Sequence, residues 1–300
     1  MQQHANQFKI ERMSKMLEVS RAAYYKFIKA KPSKRALEKE KLLKRIRKIY
    51  SKSRGIYGSP RIHAILKSEG ENCSQRRVAK LMKEVGLAAK MKKKFKITTK
   101  VNPKAKAAPN LLNRDFKAVK PNERWVADIT YVSTAEGWLY VAAVLDLYSR
   151  KIIGLAMGER ITTQLVTIAM KQALLHRRPL PGLLHHSDKG CQYTSQAFQE
   201  LLKSHNITVS MSGTGNCYDN AVMKSFFHTL KTEHVHFEHY LTREQAKLSI
   251  FEYIEVFYNR QRIHSTLGYV TPEEFETKGL CPLNPGIFND MMCLNSKPHV

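Results

Sequence analysis

The rhythm of apolar residues changes near residue 121. Before it they recur three and four positions apart, the spacing of helices; after it they gather into short blocks broken by turn residues. Arg124–Val132 and Trp138–Leu147, rich in Val, Ile, Tyr and Leu, are predicted strands joined at Glu136-Gly137. Ser149-Arg150 marks a second turn and Lys151–Met157 a third strand. Thr162–Leu175 has amphipathic periodicity, and a helix over Ser195–His205 separates short strands at Leu183–Ser187 and Ile207–Met211. Three antiparallel strands followed by alternating helices and strands predict an α/β domain with a mixed five-stranded sheet. Further on, Thr242-Arg243-Glu244-Gln245 is a capping box opening a long helix to about Arg262. Thr271-Pro272-Glu273-Glu274 opens another, with proline at the first helical position.

The front of the chain predicts helices only. FKIERMSKML, Glu18-Val19-Ser20 and RAAYYKFIKA form a helix-turn-helix pattern over residues 8–30. Ile10, Met13, Met16 and Leu17 lie at helical spacing, Ser20 is a good N-cap, and Val19 is expected to pack between the helices. The second helix would offer Arg21, Tyr25 and Lys26 to DNA. Pro32-Ser33 breaks the chain. A basic helix over 37–53, a turn at 55–60, a helix over Arg61–Ser68 and one from the Ser74 cap to Gly86 follow. In the last of these, Val78, Leu81, Met82 and Val85 face inward, while Arg76, Arg77 and Lys80 share the exposed side. Together with Arg61 they make a second helical candidate for DNA contact. Lys92, Lys93, Lys94 and Lys96 open a basic stretch with no apolar period, an extended linker suited to a phosphate backbone. The expected division is a helix-turn-helix over 1–33, a second helical DNA-binding segment over 34–90, the linker over 91–120, the α/β core over 121–280 and a tail over 281–300.

Charge sharpens this division. Residues 1–120 carry 34 Lys and Arg against 8 Asp and Glu, whereas residues 121–300 carry 17 of each, so the whole net charge of +26 lies in the front. A polyanion-binding front on a neutral globular back is the expected organisation. The five cysteines (73, 191, 217, 281 and 293) are odd in number and scattered, without a CxxC. They read as free thiols in a reducing, cytoplasmic setting, and no His/Cys spacing suggests zinc. No stretch approaches the length of a membrane span.

Two acids stand where chemistry is expected. Asp128 lies in the first strand and Asp188 just after the short fourth one, with Lys224 thirty-six positions on, in a helical segment. Two strand-borne carboxylates and a helix position facing them form the frame of a two-metal nuclease site, here with an amine at the third corner.

The motifs RWVADITYV (124–132), VLDLYSRKIIG (144–154), LHHSDKGCQY (184–193), GNCYDNAVMKSFFHTLKTE (215–233) and YNRQRIHSTLGYVTPEEF (258–275) resemble those of OrfB-type transposases of bacterial insertion sequences. The core of those proteins belongs to the retroviral-integrase superfamily, and SRGIYGSPRIHAIL (53–66) resembles the helical segment they carry before it. The resemblance implies a ribonuclease-H-like fold, an Asp-Asp-Glu triad and two Mg²⁺ (or Mn²⁺) ions. It also implies double-stranded DNA as partner, in-line attack on a phosphodiester, oligomers on paired DNA ends, and work alongside a shorter upstream helix-turn-helix product or as a fusion with it. By position, Asp128 matches the first acid and would bridge both ions; Asp188 matches the second. Lys224 stands at the place of the third, and a lysine has donors only, so it cannot ligate a cation. Glu233, nine residues on, is expected on the opposite helix face, and Asp219 is expected to cap the helix, so neither replaces it. Two rival readings remain open: a DNA-binding regulator or dominant inhibitor without catalysis, and a hydrolase of RNA–DNA hybrids.

Overall fold

The computed structural model describes residues 1–90, 108–213 and 218–279. Lys92, Lys93, Lys94, Lys96 and the C-terminal tail lie outside the described residues. The chain divides into two compact units, Met1–Ile49 and Tyr50–Val300.

In the first unit, α1 (Ile10–Met16) and α2 (Arg21–Lys29) form the expected pair, and the Ser20 hydroxyl accepts from the Ala23 amide at 3.1 Å. The expected core between them does not form. Met16 is 87% exposed and Leu17, Val19 and Phe27 are also exposed, while each helix buries one residue, Ser14 and Tyr24. Helices of two turns are too short to wrap a core, so apolar spacing here does not mean burial. Arg21, Tyr25 and Lys26 are exposed. The boundary between the units falls within α3 (Lys34–Lys52).

In the second unit, α4 (Ser59–Ser68) and α5 (Gln75–Glu84) bury Ile62, Leu66, Val78, Leu81 and Met82, while Arg76, Arg77 and Lys80 stay exposed. Residues 109–119, expected as linker, are bound to the core instead. Leu111 and Leu112 donate to the Ser210 hydroxyl, and Leu112 and Ala118 are buried.

The sheet has five strands in the order β3-β2-β1-β4-β5: β1 (Arg124–Thr134), β2 (Gly137–Asp146), β3 (Ile152–Gly158), β4 (Leu184–Ser187) and β5 (Thr208–Met211). The first three are antiparallel, and β4 and β5 run parallel to β1, which makes the mixed sheet predicted. α6 (Thr163–Arg177) and α7 (Gln196–Ser204) cover one face around Trp125, Ala127, Met170 and Phe198. Gly154 lets α6 approach β3, because a Cβ there would overlap the Ala169 carbonyl oxygen. The carboxylate of Asp146 accepts from the Asn122 and Tyr148 amides and its carbonyl from Arg150, which orders the turn into β3.

α8 (Ala221–Glu233) and α9 (Arg243–Glu252) pack against β1. The helix expected to run to Arg262 changes character at Tyr253–Tyr258, where it widens to a π turn. Just beyond it, Asn259 acts as a strand edge: its side-chain oxygen accepts from the Ile152 amide and its nitrogen donates to the Ile152 carbonyl, both at 3.0 Å. α10 (Pro272–Thr277) opens on the predicted capping box, formed reciprocally by Thr271 and Glu274. No helix among the described residues is long and apolar enough to cross a membrane.

Candidate active site

Strand register builds the site. Val126 on β1 pairs with His186 on β4. β4 ends one residue later at Ser187, with Asp188 just past its end, and Asp128 stands two residues beyond Val126 on β1, within reach of the Asp188 charge. Asp128 Oδ1 accepts from the Ile129 amide at 2.8 Å, and Asp188 Oδ1 from the Gly190 amide at 3.0 Å. α8 is pinned alongside by Asn220, whose side chain donates to the Ala127 carbonyl at 2.9 Å. Lys224 follows one turn later. Met223, Phe226, Phe227 and Leu230 bury one face of this helix, while Lys224 is exposed and Lys231, two turns on, shares its side.

Electrostatics bind these residues into one cluster. Burial, then the neighbouring Asp188 charge, pushes the Asp128 carboxyl up to about 7; the Ile129 amide and the ammonium groups of Lys224 and Lys231 oppose the rise. Asp188 is also raised by burial, against the Gly190 amide and the Lys224 charge. The structure therefore brings Asp128, Asp188 and Lys224 together. Two further residues join them that sequence reasoning passed over. The buried Tyr193 phenol is raised by burial and then by both carboxylates. Lys231 is lowered by burial and raised by Asp128. The helical period carries the signal for Lys231, seven residues beyond Lys224; Tyr193 closes the motif LHHSDKGCQY but gives no sign of where its ring lies.

Neither neighbouring acid joins the cluster. Glu233 is held by Arg262, whose Nε and Nη2 each reach a carboxylate oxygen at 2.7 Å, with the Tyr253 hydroxyl at 3.0 Å. Asp219 does not cap α8, contrary to expectation. It takes Asn110 at 3.0 Å, Arg114 at 2.9 Å and the Gly213 amide at 2.8 Å, and Asn220 holds the N-cap position without a side-chain cap. Among the described residues no three His, Cys, Asp or Glu converge as a metal-ligating group. Two carboxylates and an amine make a poor fit to an oxygen-ligated ion pair.

Of the DNA-contact candidates on α4 and α5, Arg76, Arg77 and Lys80 are exposed. Arg61 turns inward, 3.6 Å from Glu233 with its guanidinium over the Tyr57 ring.

Comparison with known proteins gives one answer. Two stretches, residues 118–217 and 224–280, match the description Integrase core domain, and residues 37–95 match HTH-like domain. The insertion element IS600 uncharacterized 31 kDa protein of Shigella sonnei is 43% identical over 89% of this chain and 98% of its own length. Transposase InsF for insertion sequence IS3A of Escherichia coli (strain K12) is 40% identical over 93% of this chain and 98% of its own. Among solved structures, the HTLV-2 integrase catalytic core domain in complex with magnesium (trimeric form) aligns with a TM-score of 0.43 and 18% identity, over 53% of this chain and 99% of that one. With two such relatives matched across most of its length, the chain belongs to the integrase-core transposases of bacterial insertion sequences.

Proposed function

We propose that this chain binds the ends of an insertion element through its basic helical front, and that its core is a strand-cleaving and strand-transferring site left incomplete by Lys224. Asp128 and Asp188 take the places of the first two acids. The observation that carries the reading is the amine on α8 beside them, whose charge bears on both carboxylates. An Mg²⁺ or Mn²⁺ pair would supply the nucleophile and stabilise the leaving oxygen in such a site. At position 224 the chain offers a cation in place of a ligand, so a divalent ion is repelled as well as left short of an oxygen. Cleavage is therefore not expected of the chain as it stands.

Arg21, Tyr25, Lys26, Arg76, Arg77 and Lys80 are the exposed DNA-contact candidates. Arg61 supports them indirectly by holding the helical segment to Glu233. Double-stranded DNA, copies of the same chain on paired ends and an upstream helix-turn-helix product are the proposed partners, in the bacterial cytoplasm. The same lysine favours a second reading, a DNA-binding regulator or dominant inhibitor of an active relative.

A cleavage and strand-transfer assay with Mg²⁺ on the chain and on Lys224→Glu separates these outcomes. Activity only after Lys224→Glu supports the incomplete enzyme. Inactivity of both with DNA binding intact supports the regulator. Cleavage by the unsubstituted chain refutes the role given to Lys224.

A further inference from the structure

Beyond Asp128 the sheet has an open side. β4 pairs with β1 only over Arg124–Val126, so among the described residues the stretch from Asp128 to Thr134 is laddered to β2 alone. On that stretch Tyr131 lies diagonally across from Trp138, since Tyr131 pairs with Tyr140 and Ser133 with Trp138. The two rings meet edge to face with centroids 4.9 Å apart. Neither belongs to the core: Tyr131 is 44% and Trp138 50% exposed. The Lys231 ammonium lies 4.6 Å from the Tyr131 ring centroid, and its charge also reaches Asp128. These three side chains, with His236, His239 and one acid, Glu238, line an open pocket of about 420 Å³.

Large aromatic rings left facing a pocket are informative where scattered exposed apolar residues are not. A ring pair flanked by a cation suits a flat, π-faced ligand that carries a negative charge, and an unpaired nucleotide has both features. Paired bases inside a duplex present no free face, so the occupant has to be unstacked. Position favours the same ligand. Tyr131 is three residues along β1 from Asp128, about 10 Å and on the alternate face, and Lys231 bears on both. A strand advancing about 3.4 Å per nucleotide covers that in about three steps.

We infer that the Tyr131–Trp138–Lys231 pocket holds an unpaired nucleobase of the DNA strand whose backbone passes Asp128, the rings stacking on the base and Lys231 meeting the adjoining phosphate. The inference rests on the DNA-binding reading above and adds that the site prefers an opened end to a blunt one.

The test uses the full chain and two synthetic duplexes, one blunt and one with a short single-stranded overhang carrying 2-aminopurine. The overhang duplex binds about tenfold tighter, and stacking changes the 2-aminopurine emission. Trp138→Leu and Tyr131→Leu bring the overhang-to-blunt ratio close to one, whereas Trp138→Phe keeps most of it. Because the emission change is read on the unsubstituted chain, the result does not depend on how a variant folds. Equal affinity for both duplexes with no emission change overturns the pocket while leaving DNA binding in place. So does a Trp138→Leu variant that keeps the ratio, or one that changes only the sedimentation of the free protein, which would assign the pocket to a second copy. Failure to bind either duplex removes the DNA reading and the pocket with it.

Discussion

Arg262→Met is the substitution that most directly tests how α8 is held. The Arg262 side chain is 5% exposed and that of Glu233 11%, and the guanidinium grips both carboxylate oxygens at 2.7 Å. Burial alone would raise the Glu233 carboxyl; the hydrogen bonds and charge of Arg262, with Arg61 behind them, hold it below its ordinary range. Methionine in place of Arg262 leaves a buried anion facing one half-buried arginine. Removing one partner of a buried pair costs about 3–5 kcal/mol. Arg61 remains 3.6 Å from the carboxylate, which places the expected loss near the lower end of that range. Even so, it is a large part of the ~5–15 kcal/mol that keeps a domain folded.

Both tryptophans, Trp125 and Trp138, lie on β1 and β2, so urea unfolding followed by their fluorescence reports on this unit alone. Glu233→Gln in the Arg262→Met background is expected to recover part of the loss, as a coupling of about 1–3 kcal/mol in a double-mutant cycle. The sign with pH follows from the depressed carboxyl. Its stabilisation is present above the unfolded value near 4.5 and is lost as pH falls through the lower folded value. The unsubstituted chain therefore loses more stability than Glu233→Gln does below about pH 4.5. A loss under about 1 kcal/mol for Arg262→Met, or coincident acid limbs, would refute the reasoning.

Two other perturbations are sharp enough to measure. Gly154→Ala forces a methyl onto the Ala169 carbonyl of α6 and is expected to cost about 1–3 kcal/mol in the same unfolding assay; a neutral result would mean that α6 can shift. Replacing Arg76, Arg77 and Lys80 together with glutamine is expected to lower the slope of log affinity for duplex DNA against log salt by about 2–3, and an unchanged slope would remove α5 from the interface.

What the sequence made legible was local or periodic. Runs such as Trp138–Leu147 could only be strands, and Ser20, Ser74 and Thr271 cap helices with hydroxyls that reach three residues along. The strands carrying two of the motifs were legible as well, and parallel register sets them side by side, Val126 against His186. Contacts made across a hundred residues or more were not. Nothing local says that Arg61 belongs to Glu233, or that Asp219 is taken by Asn110 and Arg114 rather than by its own helix. The π turn at Tyr253–Tyr258 is of the same kind, since its neighbour Asn259 has its partner on β3. The motifs SRGIYGSPRIH and YNRQRIHS prove to be two sides of one fastening: the Tyr57 hydroxyl donates to the Gln261 carbonyl at 3.1 Å and accepts from the Ile263 amide at 2.9 Å. In the sequence they stand about two hundred residues apart.

The same separation of roles explains how an amine can occupy position 224 without disturbing the fold. α8 meets the core through Met223, Phe226, Phe227 and Leu230, a stripe at helical spacing whose four members are all buried. Lys224 lies outside that stripe and is exposed, so carboxylate or ammonium there changes no packing. What it changes is the field at Asp128 and Asp188, which burial already pushes toward their protonated forms. A carboxylate at 224 would add a third negative charge to that pair and make a cation necessary; an ammonium supplies positive charge from the chain itself. Fold similarity and motif matching respond to the packing stripe and are insensitive to this exchange. On the proposed reading, cleavage turns on a side chain outside the buried stripe of α8, so Lys224→Glu is expected to change activity while leaving the unfolding midpoint in place.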